Sequence, residues 1–207
     1  PSATERWRAR QPSCPVGPGR RGAHAGEVES VEVFSYACPA CNMFQPTLGK
    51  LKTALPANVE ITYLPAAFRT DEDWPTFQRA FYAAQALGIL DKTHGATFDA
   101  VWKDDGTLRI ADATTHRPIK PMPTIESVAA FYVKFGVKAE DVVGVANSFA
   151  VNAKMKHADA QLKAYGVDST PTLIVNGKYR LSVASAGGVD KIVPLIKFLI
   201  AKESAGQ

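Results

Sequence analysis

The stretch "VEVFSYACPACNMFQP", residues 31–46, constrains this chain more than any other. A β-branched and aromatic run alternates Val31, Val33 and Ser35 with Glu32, Phe34 and Tyr36, which is the two-residue period of a strand. The chain then passes directly into Cys38-Pro39-Ala40-Cys41. Pro39 is tolerated in a first helical turn, and Met43, Phe44, Leu48, Leu51 and Leu55 follow at roughly helical spacing. A strand therefore feeds a helix whose first residues carry two sulfurs. Pro46, about two turns in, is expected to kink that helix, because a proline in a helix interior removes a hydrogen bond.

Three uses of the cysteine pair are open in principle. Structural zinc needs two further ligands at suitable spacing, and His24, His94, His116 and His157 form neither a second C-x-x-C nor an H-x-x-x-H pair. No metal site is expected. A purely structural disulfide between residues i and i+3 closes too short a loop to constrain the unfolded chain much. Redox chemistry fits the position. The unpaired N–H groups and positive dipole end of the helix stabilise a thiolate at Cys38, which makes it a good leaving group and reactive near neutral pH. Cys41, one turn further in, is placed to resolve a mixed disulfide, with Cys38 the exposed partner.

The rest of the chain divides by pattern. "NVEITYLP" reads as a second strand. Residues 67–165 carry helical patterns ("WPTFQRAFYAAQALGIL", "TIESVAAFYVKFG", "AEDVVGVANSFAVNAKMKHADAQLKAYG") with almost no strand signal, so a helical insert is expected. Strands return at "TPTLIVNGKYRLSV", where Asn176-Gly177 suits a tight hairpin turn. A last amphipathic helix, "GGVDKIVPLIKFLIAKE", has Ile192, Leu195, Ile196 and Leu199 as its buried stripe.

The first 26 residues are rich in Pro, Gly and Arg and nearly free of aliphatic side chains, the composition of a disordered basic tail. Five arginines against Glu5 account there for the whole net charge of +4. The body is thus neutral, and nucleic acid is not an expected partner. The G-x-G-x-x-G at Gly17, Gly19 and Gly22 lacks a preceding strand, contains Pro18 and reads as a chance match. Cys14 lacks the upstream pattern of a lipoprotein acceptor. No run of eighteen apolar residues suggests a membrane span, and any secretory signal is expected to have been removed or to lie upstream.

Two residues beside the cysteines have alternative readings. Thr170-Pro171 opens the "TPTLIV" strand either as an ordinary trans proline or as a cis peptide that holds a backbone edge open for substrate. Glu32, six residues before Cys38, is either a surface glutamate at a strand end or a buried acid of raised pKa that exchanges a proton with Cys41.

The motifs "EVFSYACPACNMFQP" and "GVDSTPTLIVNGKYRL", with a helical stretch between them, resemble the DsbA family of bacterial periplasmic thiol-disulfide oxidoreductases over about residues 27–202. The resemblance implies an α/β, thioredoxin-like fold with an inserted all-helical domain. Residues 27–66 and 158–202 would form the discontinuous thioredoxin-like domain and 67–157 the insert. It further implies a redox-active Cys38–Cys41 disulfide as the sole redox group, with no cofactor, and a cis bond before Pro171. A monomeric, periplasmic protein would then donate its disulfide to unfolded or reduced exported proteins, restored by a DsbB-like membrane quinone reductase. The chain departs from well-known members at Ala40, where they carry histidine, and at Thr170. Some members also pair the buried glutamate with a lysine on the second strand, where "EITYLP" offers none.

A reductase or isomerase is the alternative within the enzyme class. Isomerases of this compartment resemble dimers built on an N-terminal dimerisation domain, which a 26-residue tail cannot form. A cytosolic thioredoxin lacks the helical insert, although Ala40 leaves the redox poise open. The other class is a non-catalytic thioredoxin-like chaperone or adaptor, which would need neither cysteine.

Overall fold

The computed structural model describes residues 28–205 apart from 57, 58, 113 and 116. The expected tail, with Cys14 and the glycine match, lies outside the described residues. In chain order the elements are β1 (Val28–Phe34), α1 (Pro39–Ala54), β2 (Val59–Pro65), α2 (Trp74–Ala86), α3 (Leu90–Trp102), α4 (Ile125–Tyr132), α5 (Ala139–Ala146), α6 (Phe149–Ala164), β3 (Thr172–Val175), β4 (Tyr179–Ser182), α7 (Val183–Ala186) and α8 (Ile192–Ala205). Short 3-10 turns follow α4 and precede α8. The fold is α/β and thioredoxin-like, with the helical run between β2 and β3.

The chain forms two compact units. The first holds the described residues up to Phe34, Met43–Leu64 and everything from Gln161 onward. Its four strands lie in the order β2-β1-β3-β4, with β1 antiparallel to β3 and β3 antiparallel to β4. Asn176 and Gly177 turn β3 into β4 with φ of 51° and 65°, and the Lys178 N–H closes the turn on the Val175 carbonyl at 2.9 Å. Asparagine and glycine are the residues that accept two successive left-handed conformations.

Glu32 on β1 lies opposite Leu173, and Leu173 opposite Leu181, so these three side chains share one face of the sheet. That face carries the core of the unit. Phe44, Leu48 and Leu51 of α1 meet Leu173, Val175 and Leu181 there, together with Ile192, Leu195, Ile196 and Leu199 of α8. The stripe expected on the last helix is thus the stripe it buries. Met43, also in α1, is 72% exposed. The buried series runs Phe44, Leu48, Leu51, at intervals of four and three, and Met43 falls off that line. Pro46 stands inside α1, which continues through it to Ala54.

The second unit comprises Ser35–Asn42 and Pro65–Ala160. Phe77, Phe81, Phe98, Val128 and Tyr132 are among its fully buried side chains. The long helical pattern read over residues 139–166 is two helices. Ser148 stands between them, and its Oγ accepts the Val151 N–H at 3.2 Å, an N-cap that starts α6 afresh.

Candidate active site

Four residues separate the end of β1 from the start of α1, and their local bonds set the cysteines in place. Ser35 Oγ accepts the Ala37 N–H at 3.2 Å, and the Ser35 carbonyl accepts the Cys38 N–H at 3.1 Å. Cys38 stands immediately before the helix, and its carbonyl accepts the Asn42 N–H at 3.1 Å as the first turn closes. The N–H of Cys41 points at Cys38 Sγ across 3.4 Å. α1 has no acidic residue in its first turn. The helix end and this N–H both favour negative charge on the Cys38 sulfur.

Both residues are thiols in this structure. Cys38 is 5% exposed and Cys41 0%. Both are buried, so Cys38 is not the exposed partner that the sequence reading expects. Pro39 is exposed and Ala40 half-buried.

The segment is anchored by a residue that sequence reasoning assigned only to a strand face. Tyr36 is 1% exposed, and its hydroxyl bonds His94 Nδ1 of α3 at 2.9 Å. The Tyr36 carbonyl accepts the Trp102 Nε1–H at 2.8 Å. Edge-on contacts with Phe77 and Phe98, at 6.2 and 5.0 Å between centroids, complete the seat. This is why Ser35–Asn42 belongs to the compact unit that holds α2 and α3. Nothing in the local pattern marks a pairing between residues 36 and 94; the signal available was a tyrosine two positions before the first cysteine.

Glu32 belongs to the first unit, and of its two sequence readings the surface one is excluded. Its residue is fully buried, and neither carboxyl oxygen has a hydrogen-bond partner among the described residues. Burial pushes its pKa up to about 8, with Lys52 acting in the opposite sense. β1 is also not the half-buried strand expected, since Val31 to Phe34 are all buried. In the same unit the Thr170–Pro171 bond is cis, and both residues are partly buried just before β3. Among the described residues no group of three or more His, Cys, Asp or Glu side chains is placed to hold a metal. No described helix is long and apolar enough to cross a membrane.

Residues 31–194 match the family model of the DSBA-like thioredoxin domain. This chain belongs to the DsbA family. It is 35% identical to the thiol:disulfide interchange protein DsbA of Pseudomonas aeruginosa over 180 residues, 87% of this chain and 78% of that protein. The DsbA of Azotobacter vinelandii is 31% identical over 185 residues, 89% and 79% of the two chains. Among solved structures, the Pseudomonas aeruginosa DsbA aligns with a TM-score of 0.74 at 33% identity, covering 92% of this chain and 91% of that one. The oxidoreductase DsbA of Xylella fastidiosa aligns with a TM-score of 0.76 at 29% identity, covering 90% and 92%. As a DsbA-family member the chain is a disulfide-donating thiol-disulfide oxidoreductase that acts on substrate proteins and uses its own cysteine pair as redox group.

Proposed function

We propose that Cys38 and Cys41 form the disulfide this protein donates, and that Cys38 is the sulfur substrates attack. A substrate thiolate forms a bond to Cys38 Sγ while the Cys38–Cys41 bond breaks, and Cys41 leaves as a thiolate that takes up a proton. A second substrate thiolate then attacks the substrate sulfur of the mixed disulfide and releases Cys38 as a thiolate. The substrate loses two electrons, and the two cysteines gain them. The observation that carries this reading is the 3.4 Å contact from the Cys41 N–H to Cys38 Sγ at the start of α1, which favours Cys38 as leaving group.

Glu32 exchanges the proton that Cys41 gains or loses. Its support is a buried carboxyl whose pKa, about 8, lets it both bind and release a proton near neutral pH. Thr170 and Pro171, at the entrance to β3, form the substrate-facing backbone edge, an assignment supported by membership of the DsbA family. The protein works in the periplasm on unfolded or reduced exported proteins, and a DsbB-like membrane quinone reductase restores its disulfide; membership of the DsbA family supports these assignments.

The experiment pairs Cys38→Ala with Cys41→Ala on a reduced, unfolded substrate protein. Cys38→Ala abolishes disulfide donation, and Cys41→Ala accumulates a mixed disulfide through Cys38 that survives acid quenching. Trapping through position 41 in Cys38→Ala would reverse the assignment of roles.

A further inference from the structure

Three side chains of α3 meet a single residue of the turn before Cys38. His94, Phe98 and Trp102 follow one another at intervals of four residues, so they line one face of the helix. His94 Nδ1 bonds the Tyr36 hydroxyl at 2.9 Å, Phe98 packs against the Tyr36 ring at 5.0 Å between centroids, and Trp102 donates its Nε1–H to the Tyr36 carbonyl at 2.8 Å. Tyr36 is thus gripped from the tip of its side chain to its own peptide.

Tyr36 occupies a place where such a grip reaches the sulfur. The Cys38 N–H donates to the Ser35 carbonyl at 3.1 Å, which makes residues 35–38 a β-turn with Tyr36 and Ala37 as its central pair. The Trp102 bond orients the peptide between those two residues, and that peptide is flanked by two of the four soft torsions of the turn. The turn delivers Cys38 to the start of α1. There its carbonyl accepts the Asn42 N–H at 3.1 Å, and its sulfur receives the Cys41 N–H across 3.4 Å. Neither Pro39 nor Ala40 has a polar side chain to offer that sulfur, which adds to the weight of backbone placement.

We infer that His94 and Trp102 are positioning residues for the redox pair: through Tyr36 they hold the turn in the conformation that presents the Cys38 sulfur to the Cys41 N–H, and so set how readily the disulfide is given away. The assignment rests on the reading of Cys38 as the attacked sulfur. Burial of the Tyr36 ring is already served by Phe77 and Phe98. Apolar contact is non-directional, and the two polar bonds from α3 supply the direction it lacks.

The test follows two quantities in the full chain: the alkylation rate of reduced Cys38 against pH, read on its own peptide by mass, and the equilibrium of the pair with glutathione. Trp102→Phe keeps an aromatic ring and removes the indole N–H. His94→Leu removes the partner of the Tyr36 hydroxyl, and His94→Asn returns a polar atom close to the Nδ1 position. Trp102→Phe and His94→Leu each raise the alkylation midpoint by about half a unit to one unit and shift the equilibrium toward the disulfide by about threefold to tenfold, the size of one ordinary hydrogen bond. His94→Asn moves both values back toward the parent. Ser148→Ala, which loses the cap of α6 and with it a comparable amount of stability, leaves both at the parent's values. Parent values in either Trp102→Phe or His94→Leu overturn the assignment of that residue, and a shift of equal size in Ser148→Ala overturns both. The reading beneath them fails separately: a mixed disulfide trapped through Cys41 in Cys38→Ala would overturn the choice of Cys38, whatever the α3 variants show.

Discussion

The Cys41 N–H and the Cys38 sulfur face each other across 3.4 Å at the start of α1, so the helix offers the reduced protein an interaction with an anionic sulfur. A disulfide removes that anion. The reduced form is therefore expected to be the more stable one at pH 7, by roughly 1–3 kcal/mol if the interaction matches an ordinary charge-assisted hydrogen bond. Denaturant midpoints of the two redox forms check this, and a more stable oxidised form would contradict it.

Glu32 makes stability depend on pH. Its folded pKa, about 8, lies above the ordinary glutamate value of 4.5, so the native state holds the proton more tightly than the unfolded chain. Its contribution is complete below pH 4.5 and is lost as pH rises through about 8, a change on the order of 5 kcal/mol. Urea unfolding at pH 5 and pH 9 is expected to show a fall for the parent that is smaller in Glu32→Gln by that order. Equal falls would mean that Glu32 titrates alike in both states.

Tyr36 ties the cysteine segment to α3. Tyr36→Phe keeps the ring contacts with Phe77 and Phe98 but removes the 2.9 Å bond to His94 Nδ1. Loss of about 1–2 kcal/mol is expected, the effect of deleting one partner of a buried hydrogen bond. An unchanged thermal midpoint would show the bond to be dispensable.

Glu203 of α8 clasps the β3–β4 hairpin by accepting Asn176 Nδ2 and Lys178 Nζ at 2.5 Å each and the Tyr179 hydroxyl at 2.9 Å. Burial alone would raise its pKa, but the bonds from Lys178, Asn176 and Tyr179 outweigh it and hold the carboxyl below its usual range. This contribution is present above the ordinary glutamate pKa and lost as pH falls through the lower folded value. Glu203→Ala is expected to cost about 1–3 kcal/mol at pH 7 and less under acid. A loss of the same size at pH 3 would assign it to packing.

Much of the fold was legible because its signals are local. The strand running into Cys-Pro-Ala-Cys, the Asn176-Gly177 turn and the stripe of the last helix each depend on residues within one or two turns of chain. What was not legible depends on tertiary neighbours. Glu32 alternates with Val31 and Val33 as a half-exposed strand would, and only the helices laid over the sheet decide that it is buried. The Tyr36–His94 bond joins positions 58 residues apart. Ser148, inside one long periodic stretch, shows the opposite failure: apolar spacing hid a cap.

The most direct test of the central claim is the equilibrium of the Cys38–Cys41 pair with a glutathione redox buffer at pH 7, read by thiol alkylation and mass. A disulfide much easier to reduce than a thioredoxin's, whose potential is about −270 mV, is the predicted result and fits a protein that gives its disulfide away. A potential at or below that of thioredoxin would contradict the account and point to reductase chemistry, with Ala40 as the first position to change.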